Sequence, residues 1–284
     1  LEPNFYAIEN WKEQINMKAS RVVLCDNNIL TTPENHKREV FDYLKQIAPK
    51  EGAMVEGSRA LRRVEFDGGW DWRHLEENIE LIQGVKYSKI RVAWDDIKYE
   101  NRFDRAMKFL LKAYPQVSKR GMHESTECFV LYNCDLITDD SLESCLFRAY
   151  KLYHHYHVWP YLMRYQPLDT LKYKSYVSPQ WSENDAIDIG RWANNRHVLP
   201  KVPRFTDYYG RKEDGTCLSK CSINEIRAFE AVKKRMPTPI AIDYTKPFRA
   251  NLGALRQELE QRAIILQKTT EAIHEQLAWF ADAV

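Results

Sequence analysis

The chain has 284 residues, 44% hydrophobic, 29% charged and 12% aromatic, which excludes a disordered protein and allows one barrel-sized domain with an appendage or two domains. Its 42 Lys and Arg against 40 Asp and Glu leave a formal charge of +2, so net charge does not indicate nucleic acid or anionic lipid, although a local basic patch is allowed. No run reaches the roughly 18 apolar residues of a membrane span, the opening Leu1-Glu2-Pro3-Asn4 is no signal peptide, and six scattered cysteines read as reduced thiols, so a soluble, cytoplasmic protein is expected.

The chain opens on a helical pattern without an initiator Met, from which a more N-terminal segment is expected. Five short β-type runs then recur: Arg21-Val22-Val23-Leu24-Cys25, Ala53-Met54-Val55, Ile90-Arg91-Val92-Ala93-Trp94, Cys128-Phe129-Val130-Leu131-Tyr132 and Val158-Trp159-Pro160-Tyr161-Leu162-Met163. They read as strands buried on both faces. Helical patterns lie between them at 39–47, 75–82, 102–114 and 141–156, the last with Asp139 or Asp140 as N-cap. Strand ends about 30 to 40 residues apart match repeated strand-helix units, hence a parallel sheet, open or closed into a barrel. Pro160 demotes the fifth run to an edge strand or to a late start.

After Pro200 the chain turns polar, and Ser222-Ile223-Asn224-Glu225 reads as a capping box that opens a helix to about Met236, stopped by Pro237 and Pro239. From about Phe248 to Phe280 a long amphipathic helix carries Leu252, Leu259, Leu266, Ile273 and Phe280 at seven-residue spacing, interrupted on its flanks by Arg262 and Thr269 among others. This stripe either pairs between chains, as a homo-oligomer or with a partner protein through residues 248–284, or lies on its own domain. The expected division is 1–203, a partial β/α barrel; 204–247, a cysteine-containing loop and capped helix; and 248–284, the long helix.

A polar cluster stands directly after each of the five runs: Asp26-Asn27-Asn28, Glu56-Gly57-Ser58-Arg59, Asp95-Asp96, Asn133-Cys134-Asp135 and Arg164-Tyr165-Gln166. In parallel α/β architectures the carboxyl ends of the strands share one side, so these clusters are expected to converge. Each taken singly also reads as caps of the next helix. Paired carboxylates such as Asp95 and Asp96 suit ribose hydroxyls, acid-base chemistry or a cation, and residue type does not choose among these.

The series Leu24-Cys25-Asp26-Asn27-Asn28, Arg91-Val92-Ala93-Trp94-Asp95-Asp96, Val130-Leu131-Tyr132-Asn133 and Met163-Arg164-Tyr165-Gln166-Pro167-Leu168, with Trp192-Ala193-Asn194-Asn195-Arg196-His197, resembles radical S-adenosylmethionine proteins of bacteria and their phages. The resemblance covers about residues 5 to 197 and implies an incomplete parallel β/α barrel, with a mainly helical C-terminal extension, that binds S-adenosylmethionine beside a [4Fe-4S] cluster. It places Asp26, Asn27 and Asn28 near the methionine end of the cofactor, Asp95 or Asp96 near its ribose, and Asn133, Arg164 and Tyr165 on the later rim. The implied activity is reductive cleavage of S-adenosylmethionine to a 5'-deoxyadenosyl radical acting on an unidentified substrate. The CxxxCxxC cluster loop of such enzymes is absent from this sequence and is expected upstream of Leu1.

Cys217-Leu218-Ser219-Lys220-Cys221 has only the first cysteine interval, so Cys217 and Cys221 are weak metal candidates. His154, His155 and His157 read as surface or helix-end histidines, and Gly68-Gly69-Trp70-Asp71-Trp72-Arg73 reads as a stacking platform or a loop plug. The reading from another class is a non-catalytic, barrel-derived binding or assembly protein that oligomerises through its C-terminal helix.

Overall fold

The computed structural model describes residues 8–25, 28–114, 125–137, 139–170, 175–208 and 223–282, the side chains of the last helix as far as 275. Five strands, β1 Arg21–Leu24, β2 Arg63–Phe66, β3 Tyr87–Ala93, β4 Thr126–Tyr132 and β5 Trp159–Arg164, form one parallel sheet in the order of the chain. Helices α1 Glu34–Ile47, α2 Leu75–Gln83, α3 Glu100–Ala113 and α4 Leu142–Tyr150 fill the connections. Sequential order has no point at which the winding reverses, as it does in doubly wound sheets, and is the winding used by β/α barrels. The expected α/β class and parallel sheet are therefore observed. Pro160 lies in β5, the last strand in the order, where a missing N–H is tolerated.

One expected strand is not formed. Ala53-Met54-Val55 makes only an isolated antiparallel bridge, Met54 to Leu61, within a turn that passes through Gly57 at φ 72°. Glu56-Gly57-Ser58-Arg59 therefore comes after no strand. The second strand starts at Arg63 because Arg62 is buried and ties the segment down, donating from Nη1 to the Ile47 carbonyl at 3.1 Å and from its backbone N–H to the Ala53 carbonyl at 2.8 Å. Three apolar residues offer too little area to compete with the alternating Arg63-Val64-Glu65-Phe66.

The chain divides into two compact units, each with its own core. The first comprises Leu1–Asp95, Tyr99–Val130 and Lys151–Tyr161; the second comprises Asp96–Lys98, Leu131–Tyr150 and Leu162–Val284. In the first unit Val22, Val64, Phe66, Ile90, Val92, Cys128 and Val130 are buried on one sheet face. Apolar stripes of the helices are buried with them: Val40, Phe41 and Leu44 of α1, Leu75 and Ile82 of α2, Phe103, Met107 and Leu110 of α3. Each large side chain so buried contributes about 1.5–3 kcal/mol. Lys37 of α1 donates to Asn78 of α2 at 2.9 Å inside this layer. After α4 the helix widens into a π-turn, Lys151–His155, where the buried Lys151 ammonium pairs with Glu100 at 2.9 Å and Asp104 at 2.8 Å, and the Tyr156 hydroxyl donates to Asp104 at 2.5 Å. These bonds satisfy a cation that could not otherwise be buried.

In the second unit α5 Glu183–Asn194, α6 Ile223–Lys233 and α7 Phe248–Asp282 complete the helical part. Ser222 of the expected capping box lies outside the described residues, and α6 ends at Lys233. Helix α7 packs on α4, α6 and the 3-10 turn Phe205–Asp207. Its buried face is Asn251, Ala254, Leu255, Glu258, Gln261, Arg262, Ile265 and Thr269, spaced by three and four residues. The seven-residue stripe Leu252, Leu259, Leu266 and Ile273 lies half-buried beside it, and the Phe280 side chain is outside the described residues. The polar residues Arg262 and Thr269, which interrupt the stripe in sequence, belong to the buried face. Glu258 accepts from the Tyr150 hydroxyl, from Thr206 at 2.9 Å and from Arg204 at 3.1 Å, while Arg262 pairs with Asp188 at 2.8 Å under the Phe205 ring.

Candidate functional site

The expectation of strands buried on both faces holds in part: no residue of β4 is exposed and Glu65 and Glu127 are buried, whereas Arg21, Val23 and Tyr161 are exposed. Register aligns Val23 with Glu65, Glu65 with Lys89 and Arg91 with Glu127, so these residues share the sheet face opposite the helices. In the first unit Arg91 lies at the centre of this face, with Nη1 2.7 Å from Glu65 and 3.1 Å from Asp67 and Nε 3.2 Å from Glu127. Lys89 Nζ is 2.8 Å from Glu127, and Arg21 is 3.7 Å from Glu65. Ser88 donates to Glu65 at 3.0 Å. Farther along the face Phe129 and Tyr161 meet edge to face at 5.8 Å between centroids. Val23, 39% exposed, and Tyr161, 42% exposed, show that the face is open at both ends of this row.

Three cations, Arg21, Lys89 and Arg91, thus interleave with three carboxylates, Glu65, Asp67 and Glu127. Burial alone would raise the Glu127 carboxyl, but hydrogen bonds and charge from Lys89 and Arg91 outweigh it and hold the group below its usual range. A surface of alternating, partly desolvated charges is suited to a ligand that carries both signs within a few ångströms, because each charge meets an opposite one already fixed in place.

Beside this face the residues after β2 close down on β3. Gly69, at φ +78°, brings its backbone so near Arg91 that an added Cβ would lie 3.2 Å from the Arg91 Cβ and carbonyl oxygen, and the Trp70 N–H donates to that carbonyl at 2.8 Å. Trp70 and Trp72 are buried, so the Gly68–Arg73 tract is a loop plug. Asp71 caps the 3-10 turn Trp72–His74 by accepting from the Arg73 N–H, grips the Arg73 side chain, and accepts from Asn28 Nδ2 at 3.3 Å.

The residues expected at the strand ends have different fates. In the first unit Asn28 precedes the 3-10 turn Ile29–Thr31, and Asp95 is exposed after β3. In the second unit Asp96 is buried, accepts from the Lys98 N–H at 2.9 Å and pairs with Lys98 Nζ at 2.6 Å. The neighbours Asp95 and Asp96 thus differ in burial, the first exposed and the second buried. Asn133, fully buried at φ 60°, donates to the carbonyls of Tyr165 at 3.3 Å and Tyr176 at 3.1 Å and accepts from the Ser178 N–H at 2.9 Å. Arg164 donates to the Tyr176 carbonyl at 2.7 Å, and its buried Nε has no hydrogen-bond partner among the described residues. Tyr165 meets Tyr176 edge to face at 5.8 Å. Asp140 does not cap α4: Ser141 does, while Asp140 is buried and accepts from the Cys134 N–H and from Trp181 at 2.9 Å. Asp26, Asn27, Cys217 and Cys221 lie outside the described residues.

Among the described residues no group of three or more His, Cys, Asp and Glu could hold a metal ion. Cys25 is exposed, Cys128, Cys134 and Cys145 are buried, and burial pushes the Cys145 thiol up to about 12, away from the thiolate a metal needs. The described residues thus do not fit a [4Fe-4S] cluster. Strand-end clusters do not report the charged sheet face, although Arg63-x-Glu65 and Lys89-x-Arg91 display its period of two in the sequence. Comparison with protein-family models, curated proteins and solved structures finds no match to this chain, so the site rests on its own residues.

Proposed function

We propose that the chain binds S-adenosylmethionine on the charged sheet face of its first unit and is the barrel portion of a radical S-adenosylmethionine enzyme or of a protein derived from one. The observation that carries the reading is the largely buried row Glu65, Lys89, Arg91 and Glu127 on the face opposite the helices of a sequentially wound parallel sheet. S-adenosylmethionine carries an ammonium, a carboxylate and a sulfonium close together, the pattern of mixed charge that this row complements. In this reading Lys89 and Arg91 attract the carboxylate, Glu65 and Glu127 the two cationic centres, and the Asp95 carboxylate after β3 accepts from ribose hydroxyls.

Titration of S-adenosylmethionine and of S-adenosylhomocysteine into the purified chain tests this. Saturable binding with preference for the sulfonium form is expected, since only that form presents a second positive charge to the carboxylates. No binding of either, or equal binding of both, would refute the role given to Glu65 and Glu127. Iron and sulfide content of the natural full-length product after anaerobic purification then separates an enzyme from a binding protein: about four irons per chain mark the enzyme.

A further inference from the structure

A second constellation in the first unit lies outside the charged sheet face. Trp72, Arg73 and Glu76, from the turn and first residues of α2, and Arg102, Arg105 and Ala106 of α3 line an open notch. Arg102 and Arg105 are three apart on α3 and so share a face. Among the described residues neither makes an ion pair, and both are exposed. The nearest acidic neighbour on their own helix, Asp104, is turned to Lys151 and Tyr156. The Arg102 guanidinium sits 5.9 Å from the Trp72 ring, which restricts its sweep, and Arg73 is held by Asp71 through its Nε at 2.8 Å. Three guanidinium groups therefore crowd one concavity whose lining contains a single carboxylate, Glu76.

We propose that this notch is an anion site that takes the phosphate or diphosphate group of a small phosphorylated ligand. Like charges held together repel, and a structure that gathers three of them with two uncompensated is relieved by a multivalent anion. The planar fork of each guanidinium matches pairs of phosphate oxygens, so two or three forks around a concavity select a tetrahedral oxyanion over a monovalent ion. Two of the three are anchored, Arg73 by a carboxylate and Arg102 by an aromatic ring, which lowers the entropy lost on binding. Glu76 opposes the anion and sets a ceiling on affinity. The site is independent of S-adenosylmethionine binding, because it shares no residue with the row Glu65, Lys89, Arg91 and Glu127.

Calorimetric titration of inorganic diphosphate into the intact chain, beside Arg102→Gln/Arg105→Gln and Glu76→Gln, tests the proposal. Both arginines are exposed, so the double variant should fold, which circular dichroism checks. The wild type should bind one diphosphate with an affinity that falls as salt rises, the double variant should bind roughly tenfold or more weakly, and Glu76→Gln more tightly. Tighter binding of adenosine diphosphate than of diphosphate would identify a nucleotide as the source of the phosphates, and equal binding a free anion. Absence of saturable diphosphate binding up to about 1 mM, a level that already corresponds to only ~4 kcal/mol, or equal affinity in the double variant, would overturn it. So would retention of single-stranded DNA without diphosphate binding, which would make the arginines a nucleic-acid surface. Failure of S-adenosylmethionine to bind would leave this result untouched.

Discussion

Replacement of Glu127 by Gln probes how the charged face is held together. The carboxylate accepts from Lys89 at 2.8 Å and from Arg91 at 3.2 Å, and both bonds lose their ionic character in the variant. Arg91 keeps Glu65 at 2.7 Å and Asp67 at 3.1 Å, so its loss is partial; Lys89, whose side chain is 21% exposed, recovers some solvation from water. A bond to a charged group contributes about 1.5–3 kcal/mol, and one such loss with one partial loss, softened by that exposure, gives about 2 kcal/mol at neutral pH. Urea denaturation at constant slope measures it as a lower midpoint. The folded carboxyl lies below its ordinary 4.5, so its stabilisation is fully present above that value and is lost as pH falls through the folded one. The gap between wild type and variant should therefore close on acidification. A gap under about 0.5 kcal/mol at neutral pH, or one that persists far below 4.5, would refute the network as a source of stability.

Other variants examine the neighbouring contacts. Gly69→Ala should cost about 1–3 kcal/mol in thermal or urea unfolding, because it places a Cβ against Arg91 at a positive φ. Glu258→Gln should destabilise the second unit by about 2–3 kcal/mol, since Tyr150, Thr206 and Arg204 all donate to that carboxylate, and hydrogen exchange should localise the loss there. Leu266→Asp should cost about 2–4 kcal/mol instead of yielding a stable folded monomer, because Leu266 packs against Phe229 and Ile265; a soluble, fully folded variant that sediments at half the wild-type mass would show that the stripe is an intersubunit seam.

Much of the scaffold was legible. Parallel strands at Val22–Leu24, Ile90–Ala93 and Cys128–Tyr132 announce themselves by β-branched and aromatic residues, and the helices between them by their spacing. The second strand was misplaced because Ala53-Met54-Val55 is apolar, whereas Arg63-Val64-Glu65-Phe66 half conceals its character behind charges that belong to the open face. The α7 face was displaced for a related reason. Leucine spacing marks one stripe, yet the buried one includes Glu258 and Arg262, whose burial depends on partners at Tyr150, Arg204 and Asp188 that lie 54 to 108 residues away in the chain. No local pattern reports such pairings. Asn133 is expected on the later rim, and its amide is engaged with main-chain groups of Tyr165, Tyr176 and Ser178, a clamp that residue type alone does not distinguish from a ligand contact.

Lys89→Met tests most directly the proposed recognition of S-adenosylmethionine by the charged sheet face. Lys89 makes one carboxylate contact and is partly exposed, so its removal should leave the sheet folded while withdrawing a cation from the row. Calorimetric titration of S-adenosylmethionine should give single-site binding to the wild type and roughly tenfold weaker binding to the variant, the consequence of losing one charged partner worth about 1.5–3 kcal/mol. Equal affinity in a folded Lys89→Met protein, or no binding to the wild type at all, would contradict the account.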